Sequence, residues 1–132
     1  METIDKLAWI YIQDRKVMFA RSRGKEKYFA PGGKREEGET DEQALVREIQ
    51  EELSITLVPN SISHLHTVVA QAFGKPEGTM VQIKCFTAQF EGEITPANEI
   101  EEVAWFSSAD IPHMTEPGKL ILTFLKEQNL ID

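Results

Sequence analysis

The chain has 132 residues, 41% of them hydrophobic and 27% charged, with a formal net charge of −8. That is enough for one buried core and too little for two domains, in the proportions of an ordinary globular protein. No apolar run approaches the roughly 20 residues that span a bilayer, and an acidic chain lacks the basic stripe of a duplex nucleic-acid binder. Residues 1–5 carry neither the basic start nor the apolar stretch of a secretory signal, and Cys85 is the sole cysteine. A cytoplasmic protein with no internal disulfide and no membrane partner is therefore expected. Small phosphates remain compatible with the acidity, provided that cations bridge the two negative partners.

Residues 7–12 (LAWIYI) are apolar on both alternating faces and predict a strand buried from two sides. A polar turn at residues 13–15 leads to a second strand over residues 16–20 (KVMFA), and a hairpin is the simplest connection. Residues 21–27 (RSRGKEK) form the chain's one basic concentration. Two readings stay open there: a solvated loop, or phosphate contact through the guanidinium forks of Arg21 and Arg23. Residues 28–30 read as extended and deliver the chain to Pro31-Gly32-Gly33, where adjacent glycines permit a tight turn and close approach of backbone to a ligand. Lys34 and Arg35 follow, placed either to hold phosphates or simply to be solvated.

Residues 36–52 then gather eight acids against one base, Arg47, so this window holds −7 of the chain's −8. Thr40 and Gln43 form a capping box, and Asp41 and Glu42 suit the positive end of the helix that it starts. Leu45, Val46, Ile49 and Leu53 fill one arc of that helix and should face the core. Glu48, Glu51 and Glu52 share another arc without a lysine nearby, at a few tenths of a kcal/mol of repulsion per pair. A hard divalent cation, which takes oxygen ligands, would relieve it.

After the helix, residues 55–58 read as a short extended piece ended by Pro59-Asn60. Residues 63–73 and 79–91 predict two strands paired as a hairpin around the Gly74–Gly78 loop, with His64 and His66 on one face. Two histidines without cysteines make a poor zinc site, so a surface or rim position is expected for both. Residues 95–102 form a polar loop carrying Glu99, Glu101 and Glu102, and residues 103–106 a strand. A helical turn at residues 107–110 stops near Pro112. Leu120, Ile121, Phe124 and Leu125 mark a final amphipathic helix. Pattern alone supports an α+β single domain.

The spacing Gly33, five residues, Glu39, seven residues, then Arg47-Glu48-Ile49-Gln50-Glu51-Glu52-Leu53-Ser54-Ile55 resembles the signature of the Nudix hydrolases, with the box over residues 33–55 and one domain over residues 1–132. Every charged position matches, and Ser54 departs from the final glycine. A left-handed residue is common past a helix end, and serine adopts that conformation at a cost of about 1 kcal/mol, a matter of stability.

The resemblance implies a Nudix fold, a mixed sheet sandwiched between helices, and Mg²⁺-dependent hydrolysis of the pyrophosphate bond in a nucleoside diphosphate linked to another group, with Mn²⁺ as a substitute. It implies Gly33, Glu48, Glu51 and Glu52 as metal ligands, Arg47 as a catalytic residue orienting a carboxylate, and Glu39 as its structural partner. Glu48, Glu51, Glu99, Glu101 and Glu102 are the general-base candidates, with Glu101 standing for the distant loop and Glu77 an outsider. Arg21, Arg23, Lys34 and Phe73 are the substrate-binding candidates. The short chain, without an extra N-terminal dimerisation segment, points to a nucleoside triphosphate, damaged or modified bases included, cleaved to a monophosphate and pyrophosphate by a monomer or homodimer. ADP-ribose or a nucleotide sugar is the alternative substrate. A non-catalytic nucleotide sensor would be expected to lose the box carboxylates. An isoprenoid-diphosphate isomerase would need a cysteine motif that is not present around Cys85.

Overall fold

The computed structural model describes residues 3–72 and 74–132. In chain order the strands are β1 Thr3–Trp9, β2 Ile12–Gln13, β3 Lys16–Ser22 and β4 Gly32–Gly33, followed by helix α1 Asp41–Leu53. Then come β5 Thr56–Leu57, β6 Ser63–Gln71, β7 Met80–Thr87, β8 Phe90–Glu91, β9 Ile100–Phe106 and helix α2 Glu116–Glu127. Short 3₁₀ turns occupy Pro59–Ser61 and Ser108–His113. None of the described helices is long and apolar enough to cross a membrane.

Among the described residues the strands form three sheets, in the orders β4-β1-β7-β6, β2-β3-β9 and β5-β8. In the first, β1 runs parallel to β7 and antiparallel to β4, so the sheet is mixed. Because side chains alternate along a strand, β1 sends Leu7 and Trp9 to one face and Ala8 to the other. Leu7 and Trp9 pack with Leu45, Ile49 and Leu53 of α1, whereas Ala8 packs with Ile121, Leu122 and Leu125 of α2. The α+β sandwich between helices implied by the resemblance is present.

Several local expectations are corrected. Residues 7–12 are not one strand: β1 begins at Thr3, and the chain passes to a different sheet at Ile10 and Tyr11 before β2. The hairpin joins only β2 to β3, through Asp14 and Arg15, both left-handed at φ 53° and 62°, the backbone suited to a two-residue turn. Residues 79–91 also break. The Trp9 indole donates to the Ala88 carbonyl at 3.2 Å and the Ser61 hydroxyl accepts from the Gln89 N–H, which diverts the chain so that β8 pairs with β5. A bulge in β6 between His64 and His66 separates their faces: His64 meets Phe86 edge-on in the α1 layer, and His66 stacks on Phe124 of α2. In α2 the buried stripe is Pro117, Gly118, Ile121, Leu122 and Leu125, and Leu120 is exposed. Gly118 sets that stripe, since an added Cβ there would lie 3.1 Å from Met114 and 3.2 Å from Phe19. In α1 Val46 is only half-buried, and Glu52 takes a buried place instead.

Candidate active site

The acidic helix is held at both ends. At its start the Thr40 hydroxyl accepts from the Gln43 N–H while the Gln43 side chain accepts from the Thr40 N–H, closing the capping box. At its end Ser54 is left-handed, φ 64°, and its N–H donates to the Gln50 carbonyl. The last carbonyls of a helix have no partner within it. Here Thr95 N–H donates to Leu53 O, Ala97 N–H to Glu52 O, and Asn98 Nδ2 to Glu51 O at 2.7 Å. The Ser54 hydroxyl donates to the Thr95 carbonyl at 3.0 Å, a bond whose usual net worth of about 1 kcal/mol offsets the strain of a left-handed serine. The loop before β9 is thereby tied to the end of α1 that carries the glutamates.

Arg47 organises the arc. Its guanidinium donates to both Glu39 carboxylate oxygens, at 2.7 and 2.9 Å, to Glu48 at 2.7 Å, to Glu51 at 3.4 Å and to the Lys34 carbonyl at 3.0 Å. The Arg47 fork and then the Glu36 N–H hold the Glu39 carboxyl at about 2, well below the usual carboxylate range. The bond to Glu39, and after it the bond to Glu48, raise the Arg47 pKa further above its ordinary value, against the effect of burial.

The two glycines ahead of the helix make room for the acids. A Cβ on Gly33 would stand 2.1 Å from Glu48 Oε2, so the carboxylate occupies the space that a side chain would fill. A Cβ on Gly32, at φ 151°, would meet the Leu7 carbonyl oxygen at 1.9 Å. The Gly32 N–H donates to Glu52 Oε1 at 3.1 Å. Glu52 is only 4% exposed. Burial pushes its carboxyl up to about 8, against the pull of the Gly32 N–H, and Glu48, Glu99 and Glu51 add repulsion.

Among the described residues no three acids or histidines stand close enough to form a ready-made metal cluster. Glu48 is turned to Arg47, and the Glu51 side chain is 53% exposed. The donor chemistry nevertheless fits a hard divalent cation: three carboxylates at i, i+3 and i+4, one of them buried and repelled by its neighbours. Beside them lies a cleft of about 470 Å³ with Gly32 and Gly33 in its wall. Lys6, Lys25, Lys27, Lys34 and Lys75 line it, above a floor that includes Ile4, Phe29, Val81, Ile83 and Ile121.

The NUDIX domain model matches residues 5–124. The chain belongs to the Nudix family. It is 32% identical over 103 residues to the human NAD-capped RNA hydrolase NUDT12, an alignment covering 73% of this chain but only 21% of that protein. It is 27% identical over 121 residues to the ADP-ribose pyrophosphatase of Methanocaldococcus jannaschii, covering 89% of this chain and 70% of that one. Among solved structures, the MutT NUDIX hydrolase from Burkholderia pseudomallei superposes with a TM-score of 0.76 at 25% identity, over 93% of this chain and 98% of its own.

Within this Nudix domain the residues singled out from sequence fall into separate groups. Glu39, Arg47, Glu48 and Glu51 meet in one hydrogen-bonded cluster, Gly33 lines the cleft, and Glu52 is bonded to the N–H of the neighbouring Gly32. Lys34 lines the cleft. Arg21 and Arg23 do not line it: Arg21 pairs with Glu101 at 2.9 Å and Glu102 at 3.5 Å, and Arg23 donates to the Asn98 carbonyl. Phe73 lies outside the described residues. Glu101 and Glu102 are corrected from loop to strand, because β9 begins at Ile100. Glu102 also accepts from the Tyr28 hydroxyl, so both acids are engaged by neighbours. Of the three candidates ahead of β9 Glu99 alone stays in the loop, and Glu77 lies in the turn between β6 and β7. Cys85 is buried in the α2 layer with its thiol pushed up to about 12, unsuited to nucleophilic chemistry. Sequence reasoning missed Lys6 and Lys75. The available signal was a lysine in register with Ile4 and Ala8 on a strand that otherwise turns apolar groups inward.

Proposed function

We propose that this Nudix protein is a pyrophosphohydrolase that cleaves a nucleoside triphosphate, modified bases included, to the monophosphate and pyrophosphate with Mg²⁺ or Mn²⁺. Glu48, Glu51 and Glu52 would hold the cation, together with the backbone carbonyl near Gly33 that the resemblance assigns to the same shell. A divalent cation bound there supplies charge neutralisation for the phosphates and acidifies water for attack. The observation that carries the reading is the buried Glu52 held against the Gly32 N–H, with Glu48 seated in the space that Gly33 leaves.

Arg47 keeps Glu48 and Glu51 in place through its fork and leaves the phosphates to the lysines of the cleft. Glu99 takes the proton of the attacking water. It sits next to Asn98, which is anchored to the Glu51 carbonyl, and its charge is felt at Glu52. Glu48 is less suited to that role because Arg47 already holds it at 2.7 Å. Water adds to one phosphorus, the bridging oxygen leaves with the other, and positioning with electrostatic support supplies most of the rate.

A second reading, favoured by the M. jannaschii likeness, is a dinucleotide-type substrate such as ADP-ribose. A screen of nucleoside triphosphates, ADP-ribose, dinucleoside polyphosphates and nucleotide sugars with Mg²⁺, Mn²⁺ or chelator separates them. The Glu51→Gln variant should lose at least about 100-fold in turnover with the fold intact, as when a metal ligand is removed. A screen in which no nucleotide is cleaved with either cation would overturn the proposal and leave a nucleotide-binding role.

A further inference from the structure

The lysines of the cleft outnumber what a diphosphate held by a cation requires. Lys6 is the informative one. It lies on β1 between Ile4 and Ala8, half-buried, with Ile83 of β7 as its register partner. Burial lowers its pKa, Lys34 and Lys75 push the same way, and Glu52 and Glu48 oppose them. A lysine whose stem merely covered the apolar floor would carry its ammonium out to water and keep it hydrated. The Lys6 side chain is half-buried and lines the cleft together with Lys34 and Lys75. Among the described residues no acid forms an ion pair with Lys6, Lys25, Lys34 or Lys75, whereas Lys84, on the same sheet, is paired to Asp41. Lys27 donates to the Pro112 carbonyl. Several lysines lining one cleft without acidic partners suit a multiply charged anion, and lysines serve phosphates as point charges.

We infer that Lys6, with Lys34 and Lys75, receives a substrate phosphate beyond the two that flank the scissile bond, so that the cleft selects nucleoside tri- and higher polyphosphates over nucleotides joined through a diphosphate alone. This rests on the reading of the site as a pyrophosphohydrolase, and it makes Lys6 a determinant of specificity. In a triphosphate cut between its first two phosphates, the third is the group that Lys6 meets. ADP-ribose offers no phosphate at that place and leaves the lysines unanswered.

Two measurements test it, one of them independent of turnover. In chelator, inorganic tripolyphosphate should bind the wild-type protein at least tenfold more tightly than pyrophosphate, and Lys6→Met should abolish most of that difference. Lys75→Met, at an exposed position, should reduce it, and Lys6→Arg should retain it. With Mg²⁺, the ratio of kcat/KM for a nucleoside triphosphate over that for ADP-ribose should fall at least fivefold in Lys6→Met, chiefly through KM. If hydrolysis is observed but tripolyphosphate binding and the substrate ratio are the same in wild type and both methionine variants, the inference is overturned while the proposed function stands. If nothing is hydrolysed yet Lys6→Met still loses tripolyphosphate, the anion site stands and the enzymatic reading fails.

Discussion

Glu52→Gln in the metal-free protein is the most revealing substitution, because glutamine keeps the shape and an acceptor for the Gly32 N–H while removing the titration. The Glu52 carboxyl rises from 4.5 to about 8 on folding. At about 1.4 kcal/mol per pH unit, ionising it in place costs roughly 4–5 kcal/mol, an upper figure because a carboxylate that repels its neighbours can relax towards water. The sign follows from proton counting. Between 4.5 and 8 the folded chain keeps a proton that the unfolded chain has released, so this contribution to stability is complete below 4.5 and disappears as pH climbs through that window. Chemical denaturation in chelator from pH 5 to 9 should therefore show the wild type losing several kcal/mol. The variant should lack that part of the slope, match the wild type near pH 5 and be the more stable protein near pH 8. Added Mg²⁺ at pH 8 should restore the wild type, by replacing the proton with a cation, and should do little for the variant. Parallel pH profiles for the two proteins in chelator would refute the claim that a buried acid waits there for a positive partner.

Two further substitutions probe the frame around that acid. Gly33→Ala puts a methyl group 2.1 Å from Glu48 Oε2, so Glu48 must swing away. Turnover should fall at least tenfold with an unchanged circular dichroism spectrum, measured alongside the loss of Mg²⁺ affinity. Ser54→Gly removes the left-handed strain and, with it, the hydroxyl bond to the Thr95 carbonyl. These oppose at about 1 kcal/mol each, so the denaturation midpoint should move by less than that equivalent in either direction.

Much of the site was written in local spacing. Thr40 and Gln43 lie three residues apart and cap the helix wherever it goes, and the helical repeat alone brings Glu48, Glu51 and Glu52 to one arc. Glu39 lies eight residues before Arg47, within one side chain's reach of the helix, and the two form a bidentate pair at 2.7 and 2.9 Å. The final glycine of the box was replaceable, since Ser54 takes the left-handed turn and bonds Thr95. These features depend on neighbours within a few turns of chain, where side-chain chemistry and backbone geometry leave few choices.

What the tertiary structure decided depends on segments brought together from far along the chain. The parallel pairing of β1 with β7 sets Lys6 opposite Ile83 and so puts a cation inside the cleft. The antiparallel pairing of β4 with β1 brings Gly32 to Glu52, turning one of three similar glutamates into a buried acid. A single-residue bulge separated His64 from His66, and β9, starting at Ile100, took Glu101 and Glu102 out of the loop and set them against Arg21 and Tyr28. A helix repeat states which side chains share a face, but only packing against other strands decides which of them loses its water, and in this protein that loss of water distinguishes Glu52 from Glu51.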